Sequence, residues 1–301
     1  MKYLKLLISF AILTYIFIEF NVDIKKFSTI SFSNLIILIA IGVCCILLNA
    51  LRIFYIFKNQ NFEIKYLNCL KINMIGSLFD STLPTSNGGD IVRISYYINF
   101  FKTNKTKIAS ISFIDRLFGF FTFFILIIFS GIYLNFNNPT IDLIFRIVSF
   151  LTAFFLLFFL FVGSKRISNY LSKFNWIHKL RIIPIMQVIN NIRNSPKNLL
   201  ILFLITLLNH LLIFYSLFII IKIFNDIMNV DYYSLILSTS IGMISSVLGV
   251  AGGFGIGTLS FIEMYNLLLK IDHIPEIVIF FQIYQLFIKL FGLPVFLYSK
   301  N

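Results

Sequence analysis

Two short stretches carry residues whose types and spacing could do chemistry. They are Leu83-Pro84-Thr85-Ser86-Asn87-Gly88-Gly89-Asp90-Ile91-Val92-Arg93 and, further along, Asp115-Arg116-Leu117-Phe118-Gly119. Ser86, Asn87, Gly88 and Gly89 at the tip of a broken helix can turn several backbone N–H groups toward one point, an arrangement that holds phosphate or carboxylate. Arg93 follows Asp90 by three, so the two share a face if a helix resumes there. The guanidinium groups of Arg93 and Arg116 suit bidentate binding of a lipid phosphate. A closed cluster, Asp90 and Asp115 with Arg93 and Arg116, that merely ties helices together is the competing reading. Such a set is neutral, so a bound anion needs the backbone dipoles or a further cation. Lys289 is the candidate, with Gln282 and Gln285 at helical spacing beside it; snorkelling to the membrane surface is its alternative role.

Weaker signals lie elsewhere. Asn209-His210 falls in the middle of an apolar run, where a histidine either hydrogen-bonds between helices or relays protons. Gly249, Gly252, Gly253, Gly255 and Gly257 form a second glycine cluster, read equally as close helix packing or as another anion nest. Glu263 follows it and can face headgroups or a cavity. Cys44, Cys45 and Cys69 lack metal-ligand spacing and read as small buried hydrophobes. No GxSxG, P-loop, HExxH or strand-opening GxGxxG is present, so no cofactor, no metal and no ATP-driven step within this chain is expected.

The elements that must hold these residues are membrane helices. Of 301 residues 59% are hydrophobic and 12% charged, against roughly 25% charged in soluble domains. Long unbroken Phe/Ile/Leu runs exclude the alternating segments of a β-barrel. The net charge of +13 comes from Lys and Arg beside apolar spans, which points to anionic lipid headgroups and not to nucleic acid. Lys2 and Lys5 ahead of Leu6–Ile18 resemble a signal peptide, but Glu19-Phe20-Asn21 offers no small-residue cleavage site, so a retained first helix is expected.

A span needs about 20 apolar residues; full-length candidates are 3–20, 35–57, 108–134, 141–163, 199–222 and 277–298. Arg52, Lys58 and Lys65 place the end of the second span inside, and Arg93, Lys102, Lys105 and Lys107 place the end of the next segment inside as well. The stretch 66–92 should therefore enter and turn back at Pro84–Gly89. The basic loop 164–198, with Tyr170, Phe174 and Trp176 among its lysines and arginines, suggests a helix in the headgroup layer or a solvated loop. The glycine-bearing stretch 232–268 reads as a second re-entrant hairpin from the opposite face. The expectation is one integral membrane domain over 1–301: an all-α polytopic protein with six full crossings and two broken hairpins, or eight spans if both cross. It belongs in the cell membrane with both termini cytoplasmic. Paired broken segments in two halves are a pointer to a transporter site.

With Leu83-Pro84-x-x-x-Gly88-Gly89-Asp90-x-x-Arg93, the basic loop after it, Ser112-x-x-Asp115-Arg116-x-x-Gly119, and Gly252-Gly253-x-Gly255 in view, the chain resembles the transmembrane, flippase-like family of lysylphosphatidylglycerol synthases. The resemblance covers essentially the whole chain. It implies a bilayer-embedded domain that moves a lipid, anionic or aminoacylated, or a lipid-linked sugar between leaflets. In the two-domain synthases a soluble aminoacyl-transferase domain follows; this sequence shows none, so a stand-alone member without synthase activity is expected. The family's proline before the second glycine motif is Leu248 here, and its following Arg-Glu pair is Gly257-Thr258, which suggests a different substrate. Membrane lipids are the expected partners, with a glycosyltransferase, a separate aminoacyl-transferase or further copies of the chain as candidates. A membrane enzyme or subunit of lipid or glycan assembly, and a small-solute transporter, are the alternative functions.

Overall fold

The structure is a computed structural model that describes residues 18, 30–82, 88–103, 105–134, 138–162, 182–225, 230–247 and 255–299. All regular structure among them is helical: α1 (Phe32–Asn59), α2 (Tyr66–Thr82), α3 (Gly88–Phe101), α4 (Lys105–Tyr133), α5 (Pro139–Val162), α6 (Ile182–Arg193), α7 (Pro196–Phe224), α8 (Tyr232–Ser246), α9 (Ile256–Leu268), α10 (Ile274–Leu290) and α11 (Gly292–Tyr298). Expectations for 3–20 and for the aromatic-basic segment up to residue 181 lie outside the described residues.

Among the described residues five helical segments are long and apolar enough to cross a membrane: α1, α4, α5 as far as Leu157, α7, and α10 with α11 taken together from Ile274 to Tyr298. They match five of the six expected full crossings. Their sequences contain few groups that compete for backbone hydrogen bonds, and a helix satisfies its own backbone where no water can. The outward faces are correspondingly apolar. On α5, Phe150, Phe154 and Phe161 are exposed, which is the surface a lipid-facing helix presents.

The remaining apolar stretches form two antiparallel helix pairs. In the first, Gly89 of α3 packs on Gly76 and Asp80 of α2, and the Arg93 side chain lies against Gly76. The residue numbers rise along one helix as they fall along the other. The pair returns to the end of the bundle where it began, since Phe101 packs against Phe57 and Phe62 at the end of α1. In the second pair Gly257 meets Ser246, Gly242 meets Phe261, and Thr239 hydrogen-bonds Tyr265 at 2.9 Å. At Gly257 an added Cβ would lie 2.8 Å from the Ser246 Cα, so this glycine serves close packing. Gly255 takes φ 87° at the start of α9, a left-handed conformation open to glycine at little cost.

Asp231 caps α8: its carboxylate accepts from the Tyr233 and Ser234 backbone N–H groups at 3.2 and 3.1 Å. Asp231→Ala should lower stability by about 1 kcal/mol, the usual value of an N-cap, read as a small fall in Tm in detergent.

Of the four apolar clusters among the described residues, the two largest join most of the helices. One joins α1, α7, α8, α9 and α10 around Leu217, Ile220, Phe261, Ile277 and Phe281. The other joins α1 to α4 with α6 and α7 around Phe57, Tyr97, Ile111 and Ile189. Between them lies a polar cavity.

Candidate functional site

The cavity has a volume of about 290 Å³ and is walled by α1, α2, α3, α4, α7, α8, α9 and α10. Both partners of the first helix pair contribute charge to it. Arg93 donates through Nη1 to Asp90 Oδ1 at 2.6 Å and through Nη2 to Asp80 Oδ2 at 2.7 Å, with Ser77 Oγ at 3.2 Å from the same nitrogen. Arg116 reaches across from α4, donating through Nε to Asp90 Oδ2 at 2.8 Å and through Nη2 to Asp90 Oδ1. Asp80 Oδ1 accepts the Gly89 N–H at 2.9 Å. The buried Gly89 backbone donor at the start of α3 is thus already matched to a carboxylate, the charge a helix N-terminus favours.

A second ion pair completes the wall. Arg52 Nε and Nη2 donate to Asp115 Oδ1 and Oδ2 at 2.6 and 3.0 Å. The sequence reading placed Arg52 among the charges marking the inner end of a span. It is instead buried at 6% exposure, inside α1, about two turns before the helix ends. The four-membered cluster of the competing reading also divides differently. Asp90 joins Arg93 and Arg116, whereas Asp115 turns to Arg52, and Asp80, not singled out from sequence, joins the first group.

Exposure distinguishes the six side chains. Arg52 is 8% exposed, Asp80 10%, Arg93 13%, Asp115 16% and Asp90 21%, but Arg116 is 41%. Five are committed to one another; the sixth keeps a face on the cavity. Lys289 also lines it, with no carboxylate within 4.0 Å among the described residues. Arg52, Arg93, Arg116 and Lys289 stand against Asp80, Asp90 and Asp115 on this wall, a surplus of one positive charge.

The far wall is neutral and polar. His210 lies between α7 and α4, its Nε2 3.2 Å from the Gly119 carbonyl oxygen and its ring stacked on Phe123 with centroids 3.7 Å apart. Asn209 and Gln285 line the same space, and Gln282 accepts from the Thr258 hydroxyl at 2.7 Å. The structure thus brings Gly88, Gly89, Asp90, Arg93, Asp115, Arg116, His210 and Lys289 to one region. Gly255 sits at the start of α9. Ser86, Asn87, Gly252 and Gly253 lie outside the described residues, and no cluster of three or more metal-ligating side chains occurs among the described ones.

Arg116 is the twelfth residue of α4 and His210 the fifteenth of α7, each helix having 29 residues. At 1.5 Å per residue both sit about 16–21 Å from the helix start, near the middle of segments long enough to span a bilayer. Buried charge at that depth is costly unless paired, and a paired cluster with one guanidinium left facing a cavity is suited to receiving an anion. Neither a curated protein nor a solved structure matches the chain. The family model described as lysylphosphatidylglycerol synthase TM region matches residues 3–292, nearly the full length, and the chain belongs to that family of multi-pass membrane proteins related to lipid biosynthesis or translocation.

Proposed function

We propose that this chain is a lipid translocase that takes an anionic lipid by its phosphate into the central cavity while the tails stay in the bilayer. The observation that carries this reading is Arg116: alone among the six paired charges it is substantially exposed, and it is exposed toward a cavity that also holds Lys289. Asp90, itself held by Arg93, fixes its guanidinium in place, so little side-chain entropy is lost when an anion arrives. At about 290 Å³ the space suits a headgroup and not a whole lipid, being at the small end of ligand cavities. The two helix pairs are read as re-entrant hairpins entering from opposite leaflets, and the cell membrane as the site of action.

The test is leaflet exchange of a labelled anionic lipid in reconstituted vesicles, alongside equilibrium binding. Arg116→Gln should weaken binding roughly tenfold, the usual order for one charge-assisted hydrogen bond, and slow exchange in step. Arg116→Lys, which keeps charge without the bidentate fork, should fall between. Exchange that is unaltered in a normally folded Arg116→Gln protein removes the proposed role.

A further inference from the structure

The cavity holds acceptors that no described residue satisfies. A carbonyl oxygen can only accept, so His210 Nε2 carries the hydrogen that meets Gly119, and in the neutral ring Nδ1 is then a lone-pair acceptor. Among the described residues that Nδ1 has no partner, nor has the neighbouring Asn209 Oδ1; both side chains are 4% exposed and both line the cavity. Buried polar atoms are nearly always hydrogen-bonded, and leaving one unmet is unfavourable, so two adjacent orphans beside an anion site point to a missing donor. Every carboxylate on the wall is meanwhile held by a guanidinium, and the wall has a cation in surplus. An ammonium-bearing headgroup would find no free counter-charge there.

We propose that the headgroup is a polyol phosphodiester without positive charge, whose hydroxyls donate to His210 Nδ1 and Asn209 Oδ1 while its phosphate lies at Arg116. This rests on the phosphate reading above and narrows its substrate class. The polyol can be the glycerol of a phospholipid or the sugar of a polyprenyl phosphate, since both present hydroxyl donors next to a phosphate.

Binding of short-chain lipids to the purified protein tests it with four probes: phosphatidylglycerol, a monoglycosyl polyprenyl phosphate, phosphatidylmethanol and lysylphosphatidylglycerol. Phosphatidylmethanol has the phosphodiester and its charge but no hydroxyl. The expected result is that at least one polyol lipid binds about tenfold tighter than phosphatidylmethanol, matching one to two hydrogen bonds, with the lysyl lipid weaker than either. Which polyol lipid is preferred identifies the source, and either supports the proposal. His210→Phe should bring the preference ratio close to one. Equal binding of polyol lipids and phosphatidylmethanol, tightest binding of the lysyl lipid, or an unchanged ratio in His210→Phe overturns the polyol assignment and leaves the phosphate site standing. Failure of all four lipids to bind overturns both.

Discussion

Placing a single methyl group at Gly89 is expected to destabilise the protein by about 3 kcal/mol, at the upper end for overpacking a tight contact. A Cβ there would run into the Gly76 carbonyl oxygen and lie 2.5 Å from Asp80 Oδ1. Neither obstacle is the free end of a flexible chain. One is backbone within α2, and the other is a carboxylate held by Arg93 and by the Gly89 N–H itself. The helices would have to separate, and separation breaks the bond that Asp80 makes to the start of α3. Gly119→Ala is the matched control, because its Cβ would meet only Arg52 Nη1 at 3.7 Å, ordinary contact distance. Replacing a mid-helix glycine by alanine there favours the helix by up to about 1 kcal/mol. Thermal unfolding in detergent should therefore show Gly89→Ala well below wild type and Gly119→Ala at or above it. Similar Tm values for the two variants would contradict the close approach of α2 and α3.

That contact bears on what the glycines do. From sequence, Gly88 and Gly89 read as donors of backbone N–H groups to an anion. Their burial and the Gly76 contact show that they also let two helices approach closely enough for Asp80, Asp90 and Arg93 to interlock. In the proposed mechanism the anion-binding element is then a side chain fixed by this scaffold, Arg116, with the Gly89 N–H at the helix N-terminus already matched by Asp80.

What could be read from sequence follows a physical pattern. The five spans were legible because each is a continuous apolar run, and such a run in lipid has only one economical conformation. The pairing of α2 with α3 was legible because Pro84, Gly88 and Gly89 interrupt an apolar stretch in the sequence. The Asp90–Arg93 pair followed from a separation of three on one helix. Asp80 left only a faint trace, an acidic residue in an apolar segment with no basic residue beside it in sequence, which is itself a signal. The pairing of Arg52 left no trace because a cation near the end of an apolar run looks like a topology marker only; its partner Asp115 is 63 residues away, and nothing local reports that. The bond from His210 to Gly119 was hidden more deeply, since its acceptor is a backbone carbonyl that every residue carries.

The Arg52–Asp115 pair allows the sharpest separation of structural from binding roles. Both side chains are largely buried, at 8% and 16% exposure, and removing one partner of such a pair strands the other charge, typically at a cost of 3–5 kcal/mol. Arg52→Ala is expected near the lower end, about 3 kcal/mol, because water at the cavity edge can reach Asp115. Asp115→Ala should cost a similar amount, since Arg52 would then face Gly119 and His210 with no carboxylate in place. The combined Arg52→Met and Asp115→Leu protein strands nothing and fills much of the same volume, so it should recover to within about 1 kcal/mol of wild type. Lipid binding in that double variant should remain measurable, because the Asp80, Asp90, Arg93 and Arg116 group has its own internal pairing. Unfolding curves and binding isotherms on the four proteins decide the matter. If the double variant lost as much stability as the two single losses added together, the pair would not be a coupled unit. If it kept full stability but lost all binding, Arg52 and Asp115 would have to be counted as part of the phosphate site, and a loss of binding in Arg116→Gln could no longer be credited to Arg116 acting alone.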